Sequence, residues 1–181
     1  MGRGIVLIGY RGTGKSTVGR IVADRLGRAF LDCDREIESR SGRAIRAIFD
    51  ESGEPAFRDA EELTLAELTE GHPGAVIATG GGAILRESNR RRLRAFGFVA
   101  WLTADPAELA RRLEADRAGL AGRPALTSAG TLAEIEEVLA ARSPLYAEAA
   151  DAVIPTGGRT PDQVASAVLE ARGPIPDEGG S

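Results

Sequence analysis

The first chemical signal lies close to the amino terminus, in Gly9-x-x-x-x-Gly14-Lys15-Ser16. The apolar run Gly4-Ile5-Val6-Leu7-Ile8 precedes it, and a helical pattern of Val18, Ile21, Val22 and Leu26, ending at Gly27, follows. A glycine loop between a strand and a helix is the setting in which a phosphate-binding loop works. Flexible backbone at Gly12, Thr13 and Gly14 can turn successive N–H groups toward a polyanion, and the helix N-terminus adds partial positive charge. Lys15 is spaced to reach the β- and γ-phosphates of ATP, and the Ser16 hydroxyl to ligate Mg²⁺. Thr17, one residue further in, reads as facing the nucleotide. The plainer alternative is an ordinary turn, but Lys15 is the single lysine among 23 basic residues. A compact ammonium kept where every other cation is a guanidinium suggests a site that a planar fork cannot serve.

A second pair of candidates is Asp32 and Asp34, which follow the short apolar segment Ala29-Phe30-Leu31. If the chain stays extended there, residues two apart point the same way, so both carboxylates face one site and Cys33 faces away. Beside bound MgATP, Asp32 could hold the metal, and Asp34 could accept the proton of an acceptor hydroxyl. The competing reading is that either aspartate caps a helix beginning at Arg35.

These residues need a frame, and the chain supplies one. Strand-like runs recur at Gly4–Ile8, Ala29–Leu31, Ala75–Ala78, Phe98–Leu102 and Ala152–Ile154. Helical patterns fill the gaps: Arg35 to about Glu70 with breaks near Gly42 and at Gly53-Glu54-Pro55, then about 87–95, 106–115, 131–149 and 161–172. Strands alternating with helices imply a five-stranded parallel sheet covered on both faces, an α/β fold of three layers. The Gly/Ala/Ser/Thr-rich stretch 118–130 reads as an exposed mobile segment, and the chain from Gly173 as a disordered tail. The domain is thus expected to occupy residues 1–172.

Composition narrows the function classes. At 181 residues, 43% hydrophobic and 28% charged, the chain fits one globular domain. A net charge of −4 gives no general reason to expect nucleic-acid or membrane partners. The run Arg90-Arg91-Arg92 with Arg94 reads as a solvated helix face. One cysteine, Cys33, excludes an internal disulfide, and no apolar run approaches the ~18 residues of a membrane span. A cytoplasmic monomer is the expectation.

Several further motifs follow in order along the chain: Phe30-Leu31-Asp32-Cys33-Asp34, Ile37-Glu38, Gly53-Glu54-x-x-Phe57-Arg58-x-x-Glu61, Thr79-Gly80-Gly81-Gly82, Arg123-Pro124-Ala125-Leu126 and Arg142-x-Pro144-Leu145-Tyr146. Together they resemble those of the shikimate kinases. The likeness runs in order from Ile5 to about Arg172. It implies a P-loop kinase with an acceptor-binding segment (about 33–61) and a lid (about 112–124). The substrates would be ATP and shikimate, in the pathway to aromatic amino acids. It further implies that Arg58 and Arg142 clamp the acceptor carboxylate while Glu61 holds Arg58 in position. Gly80, Gly81 and Gly82 would let backbone approach the acceptor, and Arg123 would close over the phosphates. Arg117 resembles an adenine-stacking arginine, although it stands six residues before Arg123 where the family spacing is seven. Ala125 departs from the family's more frequent leucine. Phe49 and Phe57 suit either a wall for the ring or the core. Two other functions remain compatible: a sibling kinase acting on gluconate, and a nucleotide-dependent binding switch.

Overall fold

The computed structural model describes residues 3–119 and 132–174. Five strands form one sheet: β1 (Gly4–Ile8), β2 (Phe30–Asp32), β3 (Val76–Ala78), β4 (Gly97–Thr103) and β5 (Ala152–Pro155). They lie in the order β2-β3-β1-β4-β5, and every pairing is parallel. The helices are α1 (Lys15–Leu26), α2 (Cys33–Ser41), α3 (Ile45–Gly71), α4 (Glu87–Phe96), α5 (Pro106–Gly119), α6 (Leu132–Ala149) and α7 (Pro161–Arg172). A short 3-10 turn, Ala83–Leu85, follows β3.

Strand β1 explains the layering. All five of its residues are buried, as expected for a central parallel strand covered on both faces. Ile5 and Leu7 join Val18 and Val22 of α1 and Val164 and Val168 of α7 on one side. Val6 and Ile8 join Ile37, Ile48, Leu65, Leu93 and Tyr146 on the other. Alternation along the strand therefore builds two cores, each holding fully buried side chains worth about 1.5–3 kcal/mol apiece. The result is the three-layer α/β/α arrangement.

Because the strands are parallel, their carboxyl ends open on one edge of the sheet, where ligand crevices form in such folds. The phosphate loop leaves β1 there, Asp32 ends β2, and Thr79–Gly82 follows β3. The acceptor-segment helices are shaped by two breaks. Gly42 caps α2 in the left-handed conformation, and Gly53, at φ 80°, kinks α3 just ahead of Pro55. The kink separates the first part of α3 from the part that carries Arg58 and Glu61.

Two expectations are corrected. The chain is not extended through Asp32–Asp34: α2 starts at Cys33, and Asp32 caps it by accepting the Arg35 N–H at 3.3 Å. Capping satisfies an orphan N–H at the helix start, which outweighs continuation of a three-residue strand. The arginine run on α4 is also not simply a solvated face. Arg90 is 9% exposed and bonded on two sides, while Arg92 pairs with Glu70 of α3. Helix α5 runs four residues past the expected Ala115, to Gly119. It contains Arg117, whereas Arg123 and the rest of the expected lid lie outside the described residues.

Candidate active site

The loop between β1 and α1 passes Gly12 and Gly14 at φ 82° and 90°, a backbone region that side chains disfavour. This curl brings the Lys15 ammonium back over its own loop, where it donates to the carbonyls of Gly9 (2.8 Å) and Tyr10 (2.9 Å). Burial lowers Lys15 to about 8, and the neighbouring Asp34 and Asp32 carboxylates oppose the fall. It is therefore a cation at neutral pH. Thr13 is buried, and its hydroxyl donates to the Tyr10 carbonyl at 2.8 Å. Ser16 and Thr17 are exposed at the start of α1.

Ser16 Oγ donates to Asp32 Oδ2 at 2.6 Å, which joins the first turn of α1 to the end of β2. A hydroxyl and a carboxylate, both hard oxygen donors at a phosphate loop, form a set that suits Mg²⁺. That ion keeps most of its waters and takes few protein ligands. No group of three or more His, Cys, Asp or Glu able to hold a metal is found among the described residues. Asp34, in the first turn of α2, faces a different neighbour. Both Asp34 Oδ1 and Glu61 Oε1 reach to within 2.8 Å of where a Cβ on Gly80 would stand. The two carboxylates thus converge on one glycine. Cys33 between the aspartates is buried in the core, and burial pushes its thiol well up, which leaves it inert.

Arg58 donates to Glu61 at 2.7 Å and to Glu54 at 3.2 Å, and its guanidinium lies 5.0 Å from the Phe57 ring centre. Glu61 is 1% exposed, and burial raises its carboxyl despite the opposing Arg58. Exposed ion pairs on a helix are worth little, but this one is enclosed: the Arg58 side chain is only 13% exposed. Gly82 presses against it, since a Cβ there would come within 2.4 Å of Arg58 Nη2 and 2.5 Å of Nη1. The glycines of the turn therefore make room for Arg58, Glu61 and Asp34 themselves. Phe57 is a core residue, 4% exposed, with the half-buried Phe49 ring centred 4.5 Å away.

From the opposite side, α6 brings Arg142, whose Nη1 donates to the Gly81 carbonyl at 3.3 Å. Tyr146, one turn later, donates its hydroxyl to the same carbonyl at 2.5 Å and stacks on Trp101 at 5.4 Å and 19°. Burial pushes the Tyr146 phenol up to about 12, so it stays a donor. Sequence patterns gave Tyr146 no role. Arg112 was also missed: from α5 it donates to Gly12 O (3.2 Å) and Thr156 Oγ1 (3.1 Å), tying the phosphate loop to the residue after β5. In a chain with 22 arginines nothing in the sequence distinguishes it. His72 only ends α3.

The structure thus brings Lys15, Ser16, Asp32, Asp34, Arg58, Gly80–Gly82 and Arg142 to one edge of the sheet. Its composition is a phosphate-loop cation and a hydroxyl–carboxylate oxygen pair beside two arginines and two carboxylates. The family model for shikimate kinase matches residues 11–172. The shikimate kinase of Pseudomonas syringae pv. tomato is 44% identical over 174 residues, covering 96% of this chain and 98% of the relative. That of Paracidovorax citrulli is 49% identical over 151 residues, 83% and 80% of the two chains. Among solved structures, the Acinetobacter baumannii shikimate kinase in complex with shikimate matches with a TM-score of 0.85 and 38% identity, covering 93% of this chain and 91% of the other. A gluconokinase from Sinorhizobium meliloti has a TM-score of 0.60 at 18% identity, with 93% and 90% coverage, a likeness of fold alone. Matched over nearly its whole length in both sequence and backbone, the chain belongs to the shikimate kinase family.

Proposed function

We propose that this enzyme transfers the γ-phosphoryl group of ATP to the 3-hydroxyl of shikimate, acting as a cytoplasmic monomer. The observation that carries the reading is the Arg58–Glu61 anchor set against Gly82 and facing Arg142, two guanidinium forks suited to one planar carboxylate. Asp34 then serves the acceptor hydroxyl. As the hydroxyl oxygen bonds to the γ-phosphorus, the bond to the β–γ bridging oxygen breaks, ADP leaves, and the hydroxyl proton passes to Asp34. Lys15 neutralises charge on the phosphates, and Arg123 is assigned to the same task from the sequence. Ser16 and Asp32 are the residues that would hold Mg²⁺, which supplies charge neutralisation on the β- and γ-phosphates when bound. Arg117 is assigned to the adenine. Positioning and charge neutralisation account for most of the catalysis.

The test is ADP release across acceptors. Shikimate should support turnover, and gluconate or no acceptor should leave only background. Equal turnover with gluconate would favour a sibling kinase, and full turnover without acceptor would favour a nucleotide switch. The location of the acceptor site is tested by Arg58→Ala and Arg142→Ala. Each should weaken shikimate binding by about 1.5–3 kcal/mol, the worth of a charged hydrogen bond. ATP binding to the shikimate-free enzyme should be unchanged, as read by calorimetry of each ligand alone. Equal losses for both ligands refute the assignment.

Gly82→Ala gives a subtler check. The atoms that its methyl would strike are the far end of a flexible side chain, so the turn should hold while Arg58 swings away. Shikimate binding should therefore fall by about tenfold, since small misplacements of a binding group are costly, with little change in Tm. A large loss of Tm in Gly82→Ala with shikimate affinity intact would show that the glycine serves the backbone instead.

A further inference from the structure

Three successive backbone carbonyls follow the Gly80–Gly82 turn, and side chains of α4 bond all of them. Asn89 Nδ2 donates to Ala83 O at 2.9 Å. Arg90 Nη1 donates to Ile84 O at 2.8 Å and to Leu85 O at 3.3 Å. A 3-10 turn of three residues leaves its carbonyls without internal partners, so these donors give it a fixed place. Arg90 also reaches the other way: its Nε donates to Glu148 on α6 at 3.0 Å. Arg94, a helical turn further on, donates to the Glu148 carbonyl at 3.1 Å.

Helix α6 is the element that presents Arg142 and Tyr146 to the Gly81 carbonyl. The turn and α6 are therefore joined twice, once directly at Gly81 and once through Arg90. The direct link from Arg142 is long, at 3.3 Å, so the place of α6 governs where its guanidinium stands. At 9% exposure, Arg90 is shielded from the water that weakens surface pairs, and a shielded cation needs every partner it has. Its planar fork suits it to hold two carbonyls on one side and a carboxylate on another at fixed spacing. None of these bonds reaches the phosphate loop.

We infer that Arg90 is a positioning residue for the acceptor: bonded to Ile84 and Leu85 on the turn and to Glu148 on α6, it sets the place of Arg142 relative to Arg58 and Asp34. This rests on the proposed reading of Arg142 as an acceptor ligand, which Arg142→Ala tests separately, by its loss of shikimate binding with ATP binding intact.

The inference is tested with Glu148→Gln and Arg90→Lys. Glu148 has a side chain 51% exposed, so its amide variant should fold while the α6 arm is weakened. Lysine at position 90 keeps the charge but cannot serve both sides. Both variants should raise the KM for shikimate roughly threefold to tenfold, because displacement of a binding group by a fraction of an ångström suffices, and should leave the KM for ATP unchanged. Equilibrium binding of shikimate then separates positioning from mere bracing. In an Arg142→Ala background, Glu148→Gln should cause no further loss, since groups acting through one another are not additive. An unchanged shikimate KM, equal rises for both substrates, or a full additional loss in the Arg142→Ala background overturns the inference.

Discussion

Lys15→Arg is expected to leave less than about a tenth of wild-type kcat, a loss of at least roughly 1.4 kcal/mol of transition-state stabilisation. Charge is conserved in this variant, so a purely Coulombic role predicts little change. Shape decides the matter. Lys15 is 9% exposed, and its ammonium is held on two carbonyls of its own loop, at 2.8 and 2.9 Å. A guanidinium is wider, places its charge further from the chain, and cannot insert between phosphates in the same way. The same bonds imply a second effect. Lys15→Met takes the side-chain donor from the Gly9 carbonyl, while the Tyr10 carbonyl keeps the Thr13 hydroxyl, so the nucleotide-free variant should also melt slightly earlier. Steady-state kinetics of the arginine variant and thermal melts of the methionine variant check the two consequences. Retention of more than a tenth of kcat by Lys15→Arg would sink the argument from shape.

Asp34→Asn should lower kcat by ~10²-fold, within the usual range for loss of a general base, while MgATP binds almost normally. Asp32→Asn should behave differently. Asp32 is bonded to Ser16 and caps α2, so its amide should raise the Mg²⁺ concentration needed for half-maximal rate, and excess Mg²⁺ should partly restore activity. The distinction follows from where α2 starts. With Asp32 as the cap, the neighbouring carboxylates sit at different heights: one beside the first turn of α1, the other against Gly80. A Mg²⁺ titration of both variants separates the roles. Rescue of Asp34→Asn by Mg²⁺, with no rescue of Asp32→Asn, reverses them. A pH–rate profile of Asp34→Asn then distinguishes proton acceptance from orientation, because a loose transition state needs little activation of its nucleophile.

Local patterns made most of the frame legible. The buried run Gly4–Ile8 and the capped helix Pro161–Arg172, with its Thr160–Gln163 capping box, fall where the apolar periodicity and the proline signal put them. The misread junction at Asp32 had two local signals in conflict. Alternation continued the strand, while the carboxylate could also cap a helix, and the cap won. Long-range pairings left no such trace. Arg90 meets Glu148 across 58 residues, and Arg112 meets Thr156 across 44. Only the packing of α4 against α6, and the nearness of α5 to the residue after β5, gives these arginines roles that their neighbours in sequence lack. The glycine turn was legible as a place of close approach, but what approaches Gly80 and Gly82 is the protein's own side chains.

The stacked pair Trp101–Tyr146 has an optical consequence. Trp101 is the single tryptophan of the chain, so the protein's long-wavelength ultraviolet emission comes from one indole. That indole lies 5.4 Å from a phenol ring whose hydroxyl is bonded to the glycine turn. A ligand that docked on the turn and shifted the Gly81 carbonyl would be expected to act on the fluorophore through Tyr146, with no label and no turnover. If the acceptor docks at the turn as proposed, shikimate alone should change this emission in the absence of nucleotide.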